Sequence, residues 1–198
     1  MKKSIKIAVT GGPCAGKSSA LDMLKTFFEQ NGYKVLIVAE TATEMMNGGI
    51  TPQNVPTEIF QTRLLRLQLE KEDLFLHAAE HLKEEKLAFL FDRGAVDGLA
   101  YMDEETGKKV LAQNSQTHEN LLSRYDAVIH LETAAKLKKE AYSFDNNPTR
   151  FEEADGAIAL DDRLLKLWET HPKRIFIPAS ERFEDKCQAL LSAAKDLL

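Results

Sequence analysis

One eight-residue run, Gly11-Gly12-Pro13-Cys14-Ala15-Gly16-Lys17-Ser18, constrains this chain more than any other feature. It fits the spacing G-x-x-x-x-G-K-[ST]. The β-branched run Ile5 to Val9 precedes it, and an amphipathic stretch from Ser19 to Leu24 follows. A strand, a glycine turn and a helix start in that order gather successive backbone N–H groups around one point, with the positive end of the helix behind them. That arrangement predicts a phosphate-binding loop in which Gly11, Gly12, Pro13, Cys14, Ala15, Gly16, Lys17, Ser18 and Ser19 contact a nucleotide. Lys17 is expected to reach the β- and γ-phosphates, and the Ser18 hydroxyl to ligate Mg²⁺.

The rest of the chain alternates short apolar runs with longer amphipathic stretches, with no internal repeat and no linker-like tract. This predicts a three-layer α/β/α fold around a five-stranded parallel sheet. The expected strands are residues 5–10, 35–39, 87–92, 127–131 and 174–178. The expected helices are 17–31, 57–85, 115–124, a charged stretch from 134 onward, 160–169 and 181–198. Residues 41–56 and 102–113 read as two long connections, a length that in compact domains favours functional loops.

A second motif supports the first. Leu87-Ala88-Phe89-Leu90-Phe91-Asp92 is an apolar run ending in a carboxylate, the form of strand whose terminal Asp holds Mg²⁺ opposite a phosphate-binding loop. Arg93 follows directly, which places a cation beside that anion at the carboxyl edge of the sheet, where open α/β folds bind ligands. A helix after Gly94 would bring Asp97 and Tyr101 to the same cleft.

Composition narrows what such a loop can serve. With 198 residues, 43% of them hydrophobic, the chain is long enough for one domain, residues 1–198, with its own core and no disulfide. Lys and Arg total 26 against 31 Asp and Glu, a net charge of −5, which argues against a broad nucleic-acid surface. Positive potential for a polyanion must then be local. Cys14 and Cys187 match neither a disulfide framework nor a metal spacing, and no run approaches the ~20 apolar residues of a membrane span. These features predict a cytoplasmic protein; they leave no trace of oligomeric state.

At these residues the chain resembles the P-loop kinase-like proteins grouped as an AAA-type ATPase domain, related to nicotinamide-riboside kinases and more distantly to nucleoside and nucleotide monophosphate kinases. The likeness is carried by Gly11 to Ser18, Val38-Ala39-Glu40-Thr41-Ala42-Thr43, Phe60-Gln61, Asp92-Arg93-Gly94 with Asp97 and Tyr101, and Tyr125 to Leu131. It continues through Asn147-Pro148-Thr149-Arg150, Asp161 and Trp168 to Pro172. The resemblance implies an ATP donor, with GTP as the alternative, together with Mg²⁺ and a small nucleoside- or nucleotide-like acceptor. It implies that Glu40 faces the acceptor and that residues 133–155 form a lid. Lys17, Glu40, Asp92, Arg93 and Arg150 are then the expected catalytic residues, with Ser18 and Asp92 on the metal. Arg93 and Arg150 would neutralise charge on the transferring phosphoryl group. Gln61 and Arg63 are candidates for the acceptor's polar groups, while Lys136, Lys138 and Lys139 read as a solvated helix face.

Three other readings are open. A nucleotide-hydrolysing binding module would share the loop yet need no acceptor-side carboxylate such as Glu40. A guanine-selective switch would carry N/T-K-x-D, for which Ala193-Ala194-Lys195-Asp196 is the nearest and lacks the first polar residue. His77-Ala78-Ala79-Glu80-His81 spells H-x-x-E-H, a zinc peptidase pattern that requires a third ligand.

Overall fold

The computed structural model describes residues 2–137 and 148–198, with the backbone alone for residues 148–153. Five parallel strands form one sheet: β1 (Lys3–Thr10), β2 (Lys34–Val38), β3 (Lys86–Asp92), β4 (Ala127–Leu131) and β5 (Arg174–Ile177), in spatial order β2-β3-β1-β4-β5. Each expected strand is present, shifted by no more than two residues at either end. The central strand β1 is flanked by β3, with Val9 opposite Asp92, and by β4, with Thr10 opposite His130. Because all strands run the same way, Thr10, Asp92 and Leu131 reach one edge together.

The alternation of side chains along β1 assigns the two layers that cover the sheet. Ile7 and Val9 point to a core with α1 (Lys17–Gln30) and the last helix, α7 (Phe183–Lys195), through Leu21, Leu24, Phe28, Leu190 and Ala194. Ala8 points to the opposite face, where Leu65 and Leu69 of α3 (Thr57–Glu80), Val110, Leu121 and Trp168 complete a second core. From β1 the chain runs to the edge strand β2, and from β3 it crosses the other way to β4. Adjacent strands thus send their loops to opposite faces, which opens a crevice at the carboxyl ends of β1 and β3.

Both segments expected to be long connections contain helix. Residues 41–56 begin with α2 (Thr41–Asn47), whose Met45 packs on Phe60 and Leu64 of α3. Residues 102–113 are almost wholly α4 (Glu104–Gln113). Its start is fixed by the Asp103 carboxylate, which accepts from Thr106 N at 2.8 Å, and its outer face by Glu104–Lys108 and Glu105–Lys109 pairs at 2.6 and 2.9 Å. Gly107 sits inside α4, where a Cβ would lie 3.6 Å from Leu99 and 3.9 Å from Met102.

Three expected helices also change length. α3 stops at Glu80, five residues early, because the Lys2 ammonium takes the terminal carbonyls of Ala79 and Glu80 at 3.1 and 2.9 Å. α5 shrinks to His118–Leu122, entered through a Thr117 hydroxyl that accepts from Asn120 N at 3.1 Å. α6 (Pro148–Leu167) starts twelve residues before the expected 160. The central part of the expected lid, residues 138–147 with Lys138 and Lys139, lies outside the described residues.

Gly94 marks the closest approach between the sheet edge and α6. A Cβ there would stand 2.3 Å from the ring of Trp168, which is fully buried. Gly94→Ala is therefore expected to lower stability by about 2 kcal/mol, as core overpacking does. Urea unfolding should show a lower midpoint with an unchanged slope.

Candidate functional site

The phosphate loop spans the gap between Thr10 at the end of β1 and Lys17 at the start of α1. Gly11 has φ 145°, and a Cβ on it would lie 2.2 Å from the Leu131 carbonyl oxygen, so only glycine lets the chain pass β4 at this point. Cys14 is left-handed at φ 58°, and Gly16 at φ 84°. Pro13, Cys14, Ser18 and Ser19 are exposed on the loop and the first turn of α1, and Lys17 is half-buried. Burial and the Arg93 guanidinium push the Lys17 ammonium below its usual range, while Glu40, Asp92 and Asp97 pull it back up.

Asp92 closes β3 beside the loop, as its position in the sequence predicts. Its Oδ1 is buried and has no hydrogen-bond partner among the described residues. Burial first, and then the neighbouring Glu40 carboxylate, raise its pKa above the ordinary aspartate value. A buried carboxylate oxygen without a donor is an exception that calls for an explanation. With the exposed Ser18 hydroxyl nearby in sequence to Lys17, it supplies the hard oxygen donors that Mg²⁺ prefers, so the residues fit that ion.

Arg93 and Glu40 are joined. Arg93 adopts a left-handed φ of 78°, and its Nε donates to Glu40 Oε1 at 2.7 Å. Its Nη1 donates to Gly11 O at 3.3 Å and stands 3.9 Å from Asp97 Oδ2. Glu40 takes its second bond from Thr43 Oγ1 at 2.7 Å in the first turn of α2. Burial works against the Glu40 anion, but the bonds from Thr43 and Arg93 outweigh it and hold the carboxyl below the usual glutamate range.

Glu40 and Arg93 form one wall of a cleft of about 600 Å³, counted with its open mouth, between α2, α3 and the 3-10 turn Asp97–Tyr101. Phe60, Gln61 and Leu64 of α3 line it as well, together with the exposed Tyr101. Asp97 and Tyr101 thus reach the same cleft, as their spacing after Gly94 predicts. Of the pair Gln61 and Arg63, the buried Gln61 lines the cleft, and the exposed Arg63 does not. Lys136 is tied down by Glu132 at 3.0 Å and Asp162 at 2.8 Å, which differs from a freely solvated face. Arg150 lies in the first turn of α6, and its side chain is outside the described residues.

Two buried networks around this wall are harder to foresee. Asp97 accepts from Thr10 Oγ1 at 2.6 Å and from Trp168 Nε1 at 2.7 Å, which joins β1, α6 and the cleft floor. Tyr125 OH accepts from Ala95 N at 2.6 Å and donates to Glu72 Oε1 at 2.7 Å, while Gln68 Nε2 donates to the Arg93 carbonyl at 3.2 Å. Arg124 covers the other oxygen of Glu72 at 2.8 Å. Together these bonds fix the turn that carries Asp92 and Arg93. The sequence signal was Gln68 and Glu72 four apart on α3, a spacing equally common on solvated helix faces.

His77 and His81, the imidazoles of the zinc-like pattern, lie at the end of α3 and its cap. No group of three His, Cys, Asp or Glu among the described residues is placed to hold a metal.

A family model described as an AAA domain matches residues 6–186, from within β1 to the first turn of α7. The chain belongs to that AAA-domain family. No curated protein matches it in sequence. Among solved structures it is similar to deoxyadenosine kinase from M. mycoides, solved with bound dATP, at a TM-score of 0.56 and 16% identity. That match covers 96% of this chain and 99% of the other, so the fold of this AAA domain is that of a P-loop kinase over nearly its full length. No helix among the described residues is long and apolar enough to cross a membrane.

The Glu40 geometry fixes a pH dependence. A carboxyl whose folded pKa lies below its ordinary 4.5 contributes stability above that value, and the contribution fades as pH falls through the folded pKa. Urea unfolding of wild type and Glu40→Gln should therefore show a gap in favour of wild type at pH 7 that shrinks below pH ~4.

Proposed function

We propose that this AAA domain is a Mg²⁺-dependent kinase that transfers the γ-phosphoryl group of ATP to a small, nucleoside-like hydroxyl acceptor. The observation that carries the reading is the cleft beside the phosphate loop with Glu40 in its wall. A protein that only binds or hydrolyses nucleotide needs the loop, Lys17 and Asp92; it has no use for a separate pocket with a carboxylate in its lining.

The charges of the cleft favour an alcohol over a phosphate as acceptor. Arg93 is the one cation in its lining among the described residues, and its Nε and Nη1 are already engaged by Glu40 and the Gly11 carbonyl. A phosphorylated acceptor would need a free guanidinium or ammonium there. Phe60, Leu64 and Tyr101 offer apolar and aromatic surface, and Gln61 a carboxamide with donor and acceptor, a combination suited to a nucleobase. Similarity in fold to deoxyadenosine kinase agrees with such a substrate.

In this reaction Lys17 and the loop amides bind the donor phosphates. Ser18 and Asp92 would hold Mg²⁺, which when bound neutralises charge on the β- and γ-phosphoryl oxygens. Glu40, ionised at neutral pH, accepts a hydrogen bond from the acceptor hydroxyl and takes its proton as the new P–O bond forms. A low pKa makes it a weak base, which suffices because a loose phosphoryl-transfer transition state asks mainly for orientation and charge balance. Arg93 aims the Glu40 carboxylate and places positive charge beside it. The lid role of residues 133–155 and the charge-neutralising role of Arg150 are those that the family resemblance implies.

Lys17→Ala is expected to abolish turnover. Glu40→Gln should keep ATP affinity within about threefold and cut transfer at least ~100-fold, the scale of general base catalysis. Radiolabelled γ-phosphate transfer to a panel of nucleosides and pyridine ribosides, beside phosphate release without acceptor, checks both. ATP hydrolysis indifferent to every acceptor and to Glu40→Gln would replace the kinase reading with the binding module.

A further inference from the structure

Three carbonyls of the phosphate loop are held by side chains from three distant parts of the chain. Arg93 Nη1 donates to Gly11 O at 3.3 Å. The hydroxyl of Thr133, two residues past β4, donates to Pro13 O at 2.5 Å. The ammonium of Lys186, in the first turn of α7, donates to Ala15 O at 2.9 Å and to Glu132 O at 2.7 Å.

A trans peptide is planar, and its C=O and the N–H that follows point in opposite directions. Among the described residues there is no cis peptide bond. Holding the Pro13 carbonyl therefore aims Cys14 N–H the other way, and holding the Ala15 carbonyl does the same for Gly16 N–H. The Gly11–Gly12 peptide is engaged at both ends, since Gly12 N–H donates to Asp161 Oδ1 at 2.7 Å, and it has nothing left for a ligand. By contrast, no hydrogen bond among the described residues takes the N–H of Cys14 or Gly16. Left-handed backbone at Cys14 and Gly16 bends the loop into the concave form in which free amides converge on an anion.

We infer that Lys186 and Thr133 are positioning residues that aim the Gly16 and Cys14 amides at the phosphate oxygens of a bound nucleotide. Both residues act on the loop through its carbonyl oxygens. Lys186 acts from behind the loop as a two-pronged donor, and it couples the loop to the end of β4, because Glu132 O is its second acceptor. The inference rests on the nucleotide-binding reading of the loop and is independent of the acceptor.

The test is ADP titration with Mg²⁺ by calorimetry, combined with amide proton-nitrogen spectra of wild type, Lys186→Met, Thr133→Val and Thr133→Ser. Lys186→Gln stands in should Lys186→Met not fold. Lys186→Met is expected to bind ADP about tenfold more weakly, the loss of one charge-assisted bond. It should reduce the downfield shift of the Gly16 amide on ADP binding while leaving that of Cys14. Thr133→Val should show the converse pattern with about a threefold loss, and Thr133→Ser should restore wild type. Variants that melt at lower temperature but keep wild-type ADP affinity and both amide shifts would reduce the two residues to structural supports and overturn the inference. Wild-type protein that binds no ADP would remove the nucleotide-binding reading itself, and the inference with it.

Discussion

The site depends on Arg93, which joins three separate strand ends through its backbone and its guanidinium. Its backbone N–H donates to Val9 O on β1 at 3.0 Å, its Nη1 reaches the first residue of the phosphate loop, and its Nε fixes the carboxylate that follows β2. To do so from the residue after β3, it must hold a left-handed φ, a conformation that costs roughly 1 kcal/mol or more outside glycine. The Gln68, Glu72 and Tyr125 network opposes that strain by bonding the Arg93 carbonyl and the Ala95 N–H. A half-buried guanidinium, with Nε on Glu40 and Nη1 on the phosphate loop, is thus the joint about which donor loop and acceptor cleft are arranged.

What was legible in the sequence follows from how local each signal is. The loop from Gly11 to Ser18 and the apolar run ending at Asp92 announce themselves because strand period, glycine spacing and helix start agree within a dozen residues. The short helix α2 escaped because its seven residues carry one buried apolar contact, Met45, whose partners Phe60 and Leu64 lie beyond the Gly48-Gly49 turn. α4 escaped because Gly107, a weak helix former, sits inside it. The bond between Glu40 and Arg93 spans 53 residues, and that between Tyr125 and Glu72 the same, so no pattern along the chain reports either.

Net charge acquires meaning at this scale. A protein with five excess negative charges brings three carboxylates, Glu40, Asp92 and Asp97, into the electrostatic neighbourhood of Lys17 and Arg93 beside the phosphate loop. Those carboxylates are kept from repelling a nucleotide by three different means. Glu40 is bound to Arg93, Asp97 is buried and takes donors from Thr10 and Trp168, and Asp92 is left with an unsatisfied oxygen fit for a cation. The ammonium of Lys17 makes no hydrogen bond or ion pair among the described residues and is the charge left over for phosphate.

α6 then links the two halves of the site mechanically. In its C-terminal third, Asp161 accepts from Gly12 N–H on the loop and contacts His130 of β4 at 3.1 Å. Just past its last residue, Trp168 bonds Asp97 on the cleft floor and rests against Gly94. Donor loop and acceptor floor are thus fastened to the same C-terminal stretch of α6 by buried polar bonds, which are costly to leave unmade. The chain entering α6 is the segment expected to form the lid. Any rearrangement of that segment that displaced α6 would therefore be felt at Gly12 and Asp97 together, which couples the placement of phosphate and acceptor through one element of the fold.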